Sequence, residues 1–183
     1  MCLIQPFPRK HRTTMSSFAT VEDCFTFSGK RELVSVDRAQ VLLSEVKGDN
    51  FTSLDLSDKS YDTGAAELIG AALIKQCKSV TYANISDIIA GRQEDEAQNV
   101  MQLICDGLKE SILTVCRCDD NAMGPHGIRA CSSAIAQKTL KHLSLMNDGL
   151  SAASSEQLAI CLLGTVDEPK ECPPLEIFHF HNN

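Results

Sequence analysis

Apolar residues recur along this chain in threes, at positions i, i+3 and i+5, with a fourth slot at i+8. Five segments share the spacing: Phe51-Leu54-Leu56 with Lys59, Val80-Ala83-Ile85 with Ile88, and Leu113-Cys116-Cys118 with Asn121; then Leu140-Leu143-Leu145 with Asp148, and Leu175-Phe178-Phe180 with Asn183. Their starts lie 27 to 35 residues apart. The i+3/i+5 alternation predicts a short strand in each segment, with one face buried. Between segments the period changes. Ala97, Val100, Met101, Ile104, Cys105 and Leu108 form a single stripe on a helix opened by Glu94, Asp95 and Glu96, acids that suit a helix N-terminus. Ala65, Leu68, Ile69, Ala72 and Leu73 repeat that stripe one unit earlier, and Ser151 is a good N-cap for a helix carrying Leu158, Cys161 and Leu162. The stretch Asn121–Ile128 reads as the turn from strand to helix.

A strand–turn–helix unit at this period is the signature of a leucine-rich repeat. The expected fold class is α/β: a solenoid, or crescent, with parallel strands on its concave face and helices on its convex face. One unit cannot bury its apolar face alone, so the stack folds as an array. Residues 24–183 form the repeat domain, an N-terminal cap plus about five repeats. Phe25-Thr26-Phe27-Ser28 predicts a capping strand, with Val36 to Val46 as its helix. Residues 1–23 are set apart as a disordered or non-native extension, with Met15 as an alternative start, and Gly164–Pro174 reads as a polar, Pro-rich surface insertion. The pattern stops at Asn183, ahead of the fifth helix and without a terminal cap, so the chain is expected to be an N-terminal fragment.

Composition narrows the partners. The 183 residues carry a net charge of −7, which disfavours a nucleic-acid backbone and suits a basic protein surface. No run of about 18 uncharged apolar residues predicts membrane insertion. Nine cysteines fall largely on apolar faces, and no secretory signal precedes them. Reduced, buried thiols and a cytoplasmic location are expected.

Two rows of polar positions leave the strands. One carries Asp58, Asp87, Asp120, Asn147 and Asn182, the other Ser57, Ser86, Asp119, Met146 and His181. Strands stacked about 4.8 Å apart would line these up as an acidic-to-amide ridge offering acceptors to Lys and Arg of a partner. The bland alternative is that Asp and Asn simply serve the turns that follow strands.

Four segments carry a family resemblance, in order from about residue 24 to 183. Phe25–Lys30 resembles an N-terminal strand, and Ser86-Asp87-Ile88-Ile89-Ala90-Gly91-Arg92 resembles an "SD-hydrophobic-x-x-GR" segment. Leu145–Ser151 resembles an "L-x-N-[ND]-G-[LI]" turn, and Phe178–Asn183 an "FHNN" segment. Together they resemble the GTPase-activating proteins of the small GTPase Ran. The resemblance implies a Ran-type GTPase in its GTP form as partner, with a Ran-binding protein as a further candidate, in nucleocytoplasmic transport. It also implies a cytoplasmic protein, with the cytoplasmic side of the nuclear envelope as a candidate address. No cofactor of its own is expected, since GTP and Mg²⁺ are held by the partner, and no metal. It implies that Asn147 orients the partner's catalytic glutamine, as an uncharged donor and acceptor can, and that Arg92 holds the interface. Asp58, Asp87, Asp119, Asp120 and Asn182 complete the candidate partner-binding set. Two departures stand out: Lys59 and Ile88 occupy slots where Asn usually ties the turn, so those units are expected to be looser.

Other chemistry is set aside. Cys116-x-Cys118 and His179-x-His181 cannot converge on zinc from opposite faces of distant units. No cysteine has a partner base, and Gly124-Pro125-His126-Gly127 lacks the Lys-Ser/Thr of a phosphate loop. A non-catalytic repeat scaffold that binds proteins is the competing functional class, and Arg92 with Asn147 at the right repeat offset separates the two.

Overall fold

A computed structural model describes residues 23–27 and 29–183. The expectation for residues 1–23 therefore lies almost wholly outside the described residues, as does Ser28. The chain is an α/β protein built on a parallel sheet. Strands β1 (Cys24–Thr26), β2 (Glu32–Val34), β3 (Ser53–Asp55), β4 (Lys59–Tyr61), β5 (Tyr82–Asn84), β6 (Val115–Arg117), β7 (His142–Ser144) and β8 (Ile177–His179) are joined by helices α1 (Val36–Glu45, after β2), α2 (Thr63–Gln76, after β4), α3 (Glu94–Gly107, after β5), α4 (Gly124–Ala130) and α5 (Ser132–Ile135), both after β6, and α6 (Ala152–Leu163, after β7).

Six strands pair in the order β1-β3-β5-β6-β7-β8, all parallel and in matched register, so that Phe25, Leu54, Ala83, Cys116, Leu143 and Phe178 lie side by side. These central residues, except edge Phe178, point into the core, as the i+3 position predicts. Strands β2 and β4 form a separate parallel pair. Each helix packs on the next, α1 on α2, α2 on α3, α3 on α4 and α4 on α6, carrying one core along the stack. Among the described residues no helix is long and apolar enough to cross a membrane.

Local chemistry sets the helix ends. The Ser35 and Asp62 side chains accept from Arg38 and Ala65 amides, and Ser151 forms a reciprocal capping box with Ser154. The helix after β6 starts earlier than the Asn121–Ile128 turn reading allows: α4 already begins at Gly124, with Pro125 in its first turn. Pro lacks only an N–H that this position leaves free, and its fixed φ favours the first turn. Between Gly164 and Pro169 the insertion closes on itself through an antiparallel bridge, and its residues are mostly exposed.

Lys59 and Ile88 do not leave their turns untied. Lys59 lies in β4, and its ammonium donates to the Lys30 carbonyl at 2.9 Å and reaches Glu32 at 3.4 Å. The Ile88 amide donates to Asn121 Oδ1 at 2.9 Å, and its carbonyl accepts from Tyr61. Bonds to neighbouring segments thus reach both positions, in place of an Asn side chain.

Candidate functional site

In the last three of the five segments the fourth slot builds the frame beneath the polar row. Asn121 Nδ2 donates to the carbonyls of Cys118 at 2.8 Å, Ile85 at 3.0 Å and Asp119 at 3.1 Å. Its own amide donates to Asp148 Oδ1 at 2.7 Å, and the Asp148 amide donates to Asn183 Oδ1 at 2.8 Å. Asn183 Nδ2 returns to the Leu145 carbonyl at 2.8 Å. The backbone N–H of each rung from Ile88 to Asp148 is thus taken by the side chain of the next. Asp148 differs from Asn121 and Asn183 in having no N–H to give. It is fully buried, and its Oδ2 has no partner. Burial above all pushes its carboxyl up to about 7; the Asn121 amide opposes this, and Asp119 and Asp120 add to it.

One residue before each rung lies the row selected from sequence. Asp58, Asp87, Asp120, Asn147 and Asn182 all have positive φ, between 54° and 63°. Asp and Asn tolerate this left-handed region better than other side-bearing residues. Backbone geometry therefore accounts for the residue types of the row, and the side-chain environments decide what each can contact. Asp58, Asp120, Asn147 and Asn182 are exposed. Asp87 is buried and gripped by both guanidinium nitrogens of Arg31, each at 2.7 Å. Burial raises its carboxyl and Arg31 opposes the shift, with Asp58 and Asp120 raising it further.

Asn147 Nδ2 donates to Asp120 Oδ1 at 2.6 Å, and the backbones of the two are fixed by Asp120 N–H to the Met146 carbonyl and Asn147 N–H to the His181 carbonyl. The structure thus brings Asp120 and Asn147 together at the C-terminal edge of the sheet. Arg92 sits one unit back. Its Nε donates to Ser60 Oγ at 2.9 Å, one Nη to the Ser60 carbonyl at 2.8 Å, and the other Nη lies 3.6 Å from Glu96. The guanidinium fastens its own loop to β4, and a 420 Å³ cleft opens beside it, bordered by Arg92, Glu94, Asp120 and Met123.

Asp119 occupies a different environment from its neighbours. It is only 2% exposed: Oδ1 accepts from Ser144 Oγ at 2.6 Å and from the Met146 amide at 2.9 Å, and Oδ2 takes Arg117 at 3.0 Å. Its carboxylate is spent on these bonds, two of which join its unit to the next. Ser86 plays a similar part, accepting the Asp119 amide on its Oγ. At Ser86 and Asp119 the second row is therefore mortar between units.

Sequence reasoning missed Arg31 and Arg117. Arg31 lies 56 positions from Asp87, outside any repeat register. Arg117 follows an inward-facing cysteine and so points to the open face of the sheet, where it joins Tyr82, His142 and His179 around a 340 Å³ hollow. Cys116 and Cys118 are buried with sulfurs 3.5 Å apart, on the opposite side. Among the described residues no group of three or more His, Cys, Asp or Glu is placed to hold a metal.

No family model matches the chain. Among curated proteins, RAN GTPase-activating protein 2 of Arabidopsis thaliana is 40% identical over 107 residues, which is 56% of this chain and 19% of that protein. RAN GTPase-activating protein 1 of the same organism is 33% identical over 121 residues, 64% of this chain and 23% of that protein. The chain thus spans about a fifth of the length of these curated relatives.

Proposed function

We propose that this chain, which belongs by sequence to the RAN GTPase-activating proteins, activates GTP hydrolysis on a Ran-type GTPase by contributing to that partner's active site. The observation that carries this reading is the similarity to the two relatives; the exposed Asn147 carboxamide gives it a chemical form. In this reading the strand–turn–helix stack is a leucine-rich-repeat crescent, and the row Asp58, Asp120, Asn147 and Asn182 lies on the rim that meets the partner. The partner in its GTP form brings nucleotide and Mg²⁺, so this chain needs no cofactor. Hydrolysis requires an attacking water held in line, and a glutamine of the GTPase can hold it. Asn147 orders that glutamine without adding charge. Arg92 shapes the interface through the loop it fastens to Ser60 rather than by entering the partner's site. The setting is cytoplasmic nucleotide-cycle control in nuclear transport, with the cytoplasmic side of the nuclear envelope as an address and a Ran-binding protein as an additional partner.

Asn147→Gly keeps the positive φ while removing the carboxamide. It is expected to lower the maximal stimulated rate by about a hundredfold, in line with loss of a positioning contact in a transition state, with circular dichroism and thermal midpoint close to wild type. Arg92→Ala is expected to weaken stimulation together with the thermal midpoint, because the two bonds from Arg92 to Ser60 that fasten the loop to β4 are lost. Full stimulation by Asn147→Gly would remove Asn147 from the mechanism.

A further inference from the structure

The Asn147 carboxamide has two ends of opposite chemistry, and the structure fixes which one faces outward. Its Nδ2 lies 2.6 Å from Asp120 Oδ1. A carboxylate can only accept, so the amide must turn its NH₂ toward Asp120. Asn147 Oδ1 then faces away, and it has no hydrogen-bond partner among the described residues. Both residues sit in adjacent units at matching positive φ, 63° and 58°, with their amides bonded forward to Met146 and His181. The pair is therefore held from the backbone as well as through its side chains. Asp87, the preceding member of the row, cannot substitute for Asp120, because Arg31 occupies both of its oxygens.

We infer that Asp120 is a positioning residue that sets the polarity of the Asn147 carboxamide, so that the group offered to a partner is a hydrogen-bond acceptor. The inference rests on the GTPase-activating reading and sharpens it. An acceptor oxygen at Asn147 takes an N–H from the side-chain amide of the partner's glutamine. That leaves the glutamine's own carbonyl oxygen to accept from the attacking water, which is the end needed to orient it. A flipped Asn147 would donate to that oxygen instead and compete with the water. Asp120 thus selects the productive one of two amide orientations, and Asn147 keeps its rotamer without needing the partner to impose it.

Two variants test this while respecting the backbone. Asp120→Gly keeps the positive φ and removes the acceptor; Asp120→Asn keeps shape and φ but can donate or accept, so Asn147 is free to flip. In nuclear magnetic resonance spectra of the chain alone, the Asn147 side-chain NH₂ pair, identified by its disappearance in Asn147→Gly, is expected downfield and shifts upfield in Asp120→Gly. In single-turnover hydrolysis by GTP-loaded Ran, Asp120→Gly is expected to lower the maximal stimulated rate roughly tenfold, with any rise in the half-saturating concentration of the activator the smaller effect. Asp120→Asn falls between Asp120→Gly and wild type. An unchanged maximal rate, or a loss confined to the half-saturating concentration, overturns the positioning role and makes Asp120 an ordinary contact. An Asn147 signal unmoved in Asp120→Gly overturns the pairing itself. No stimulation by the wild-type chain, with the Asn147 signal still responding to Asp120→Gly, overturns the GTPase reading and with it the catalytic meaning of the pair.

Discussion

Asn121 and Asp148 occupy the same slot of neighbouring repeats and differ by one functional group, and that difference sets their energetics. Asn121 satisfies three carbonyls and one amide, nearly all buried. Asn121→Ala strands these groups and is expected to cost about 3 kcal/mol or more, since each buried unsatisfied polar group is worth about 1–3 kcal/mol; urea unfolding measures it. Asp148 accepts from Asn121 but leaves Oδ2 buried with no hydrogen-bond partner. With its carboxyl pushed up to about 7, the fold holds a proton that an unfolded aspartate releases near pH ~4. Stability supplied by that proton is complete below about pH 4, declines as pH rises from about 4 to 7, and stays level above. Asp148→Asn keeps an oxygen for the Asn121 amide and removes the buried group that must ionise. It is expected to flatten this decline and to gain about 1–3 kcal/mol at pH 8, read from urea midpoints across pH 5 to 8. A lower midpoint for Asp148→Asn at pH 8 would contradict the account of the orphan oxygen. At this scale sequence identified the slot, because the repeat period marks it. The valence of each side chain within it was invisible, since Asp and Asn share a shape and only the neighbouring carbonyls distinguish them. Asp119 was opaque for a related reason. Position in the repeat says where a strand residue leaves the sheet, whereas Ser144 and Met146, 25 and 27 residues on, decide that its carboxylate is consumed.

Between elements, contact distance is set by two glycines. A Cβ on Gly70 in α2 would stand 2.6 Å from the Leu103 carbonyl oxygen of α3. On Gly107 a Cβ would meet the Gly70 carbonyl oxygen and the Leu73 Cβ at 3.0 Å. The pair lets α2 and α3 approach almost backbone to backbone. Gly70→Ala ought to gain about 1 kcal/mol in helix propensity. The clash is with main chain and cannot be relieved by a rotamer, so a net loss of about 2 kcal/mol is expected instead, visible as a lower thermal midpoint. A midpoint equal to or above wild type would mean that the helices separate at little cost. The stripes of α2 and α3 were readable from their 3.6-residue period, and Ser151 from cap chemistry. Helix α4 was not read to its true start because Gly124, Pro125 and Gly127 look like a turn. In place, Pro125 opens the helix, and Gly127 is needed because a Cβ there would lie 2.5 Å from the Met123 Cβ. Strand β2 escaped notice as well: Glu32-Leu33-Val34 has no repeat spacing, and it forms by pairing with β4.

For the molecule as a whole, the parallel sheet with a helix after most strands follows from the recurring apolar triplets, which place Leu54, Ala83, Cys116 and Leu143 abreast in the core. The candidate site was partly legible. Asn147 and Asp120 stand out as members of one row, but their direct bond depends on both residues adopting a left-handed backbone in register, which no linear spacing encodes. Arg92 was legible as a motif residue, while its attachment to Ser60 was not. What unites these observations functionally is a rim whose exposed end is an amide held from behind by a carboxylate. The measurement that tests this most directly is single-turnover GTP hydrolysis by Ran with saturating amounts of this chain, beside Ran alone. The account predicts marked acceleration that Asn147→Gly largely removes. Hydrolysis at Ran's unassisted rate in the presence of the folded chain would contradict it.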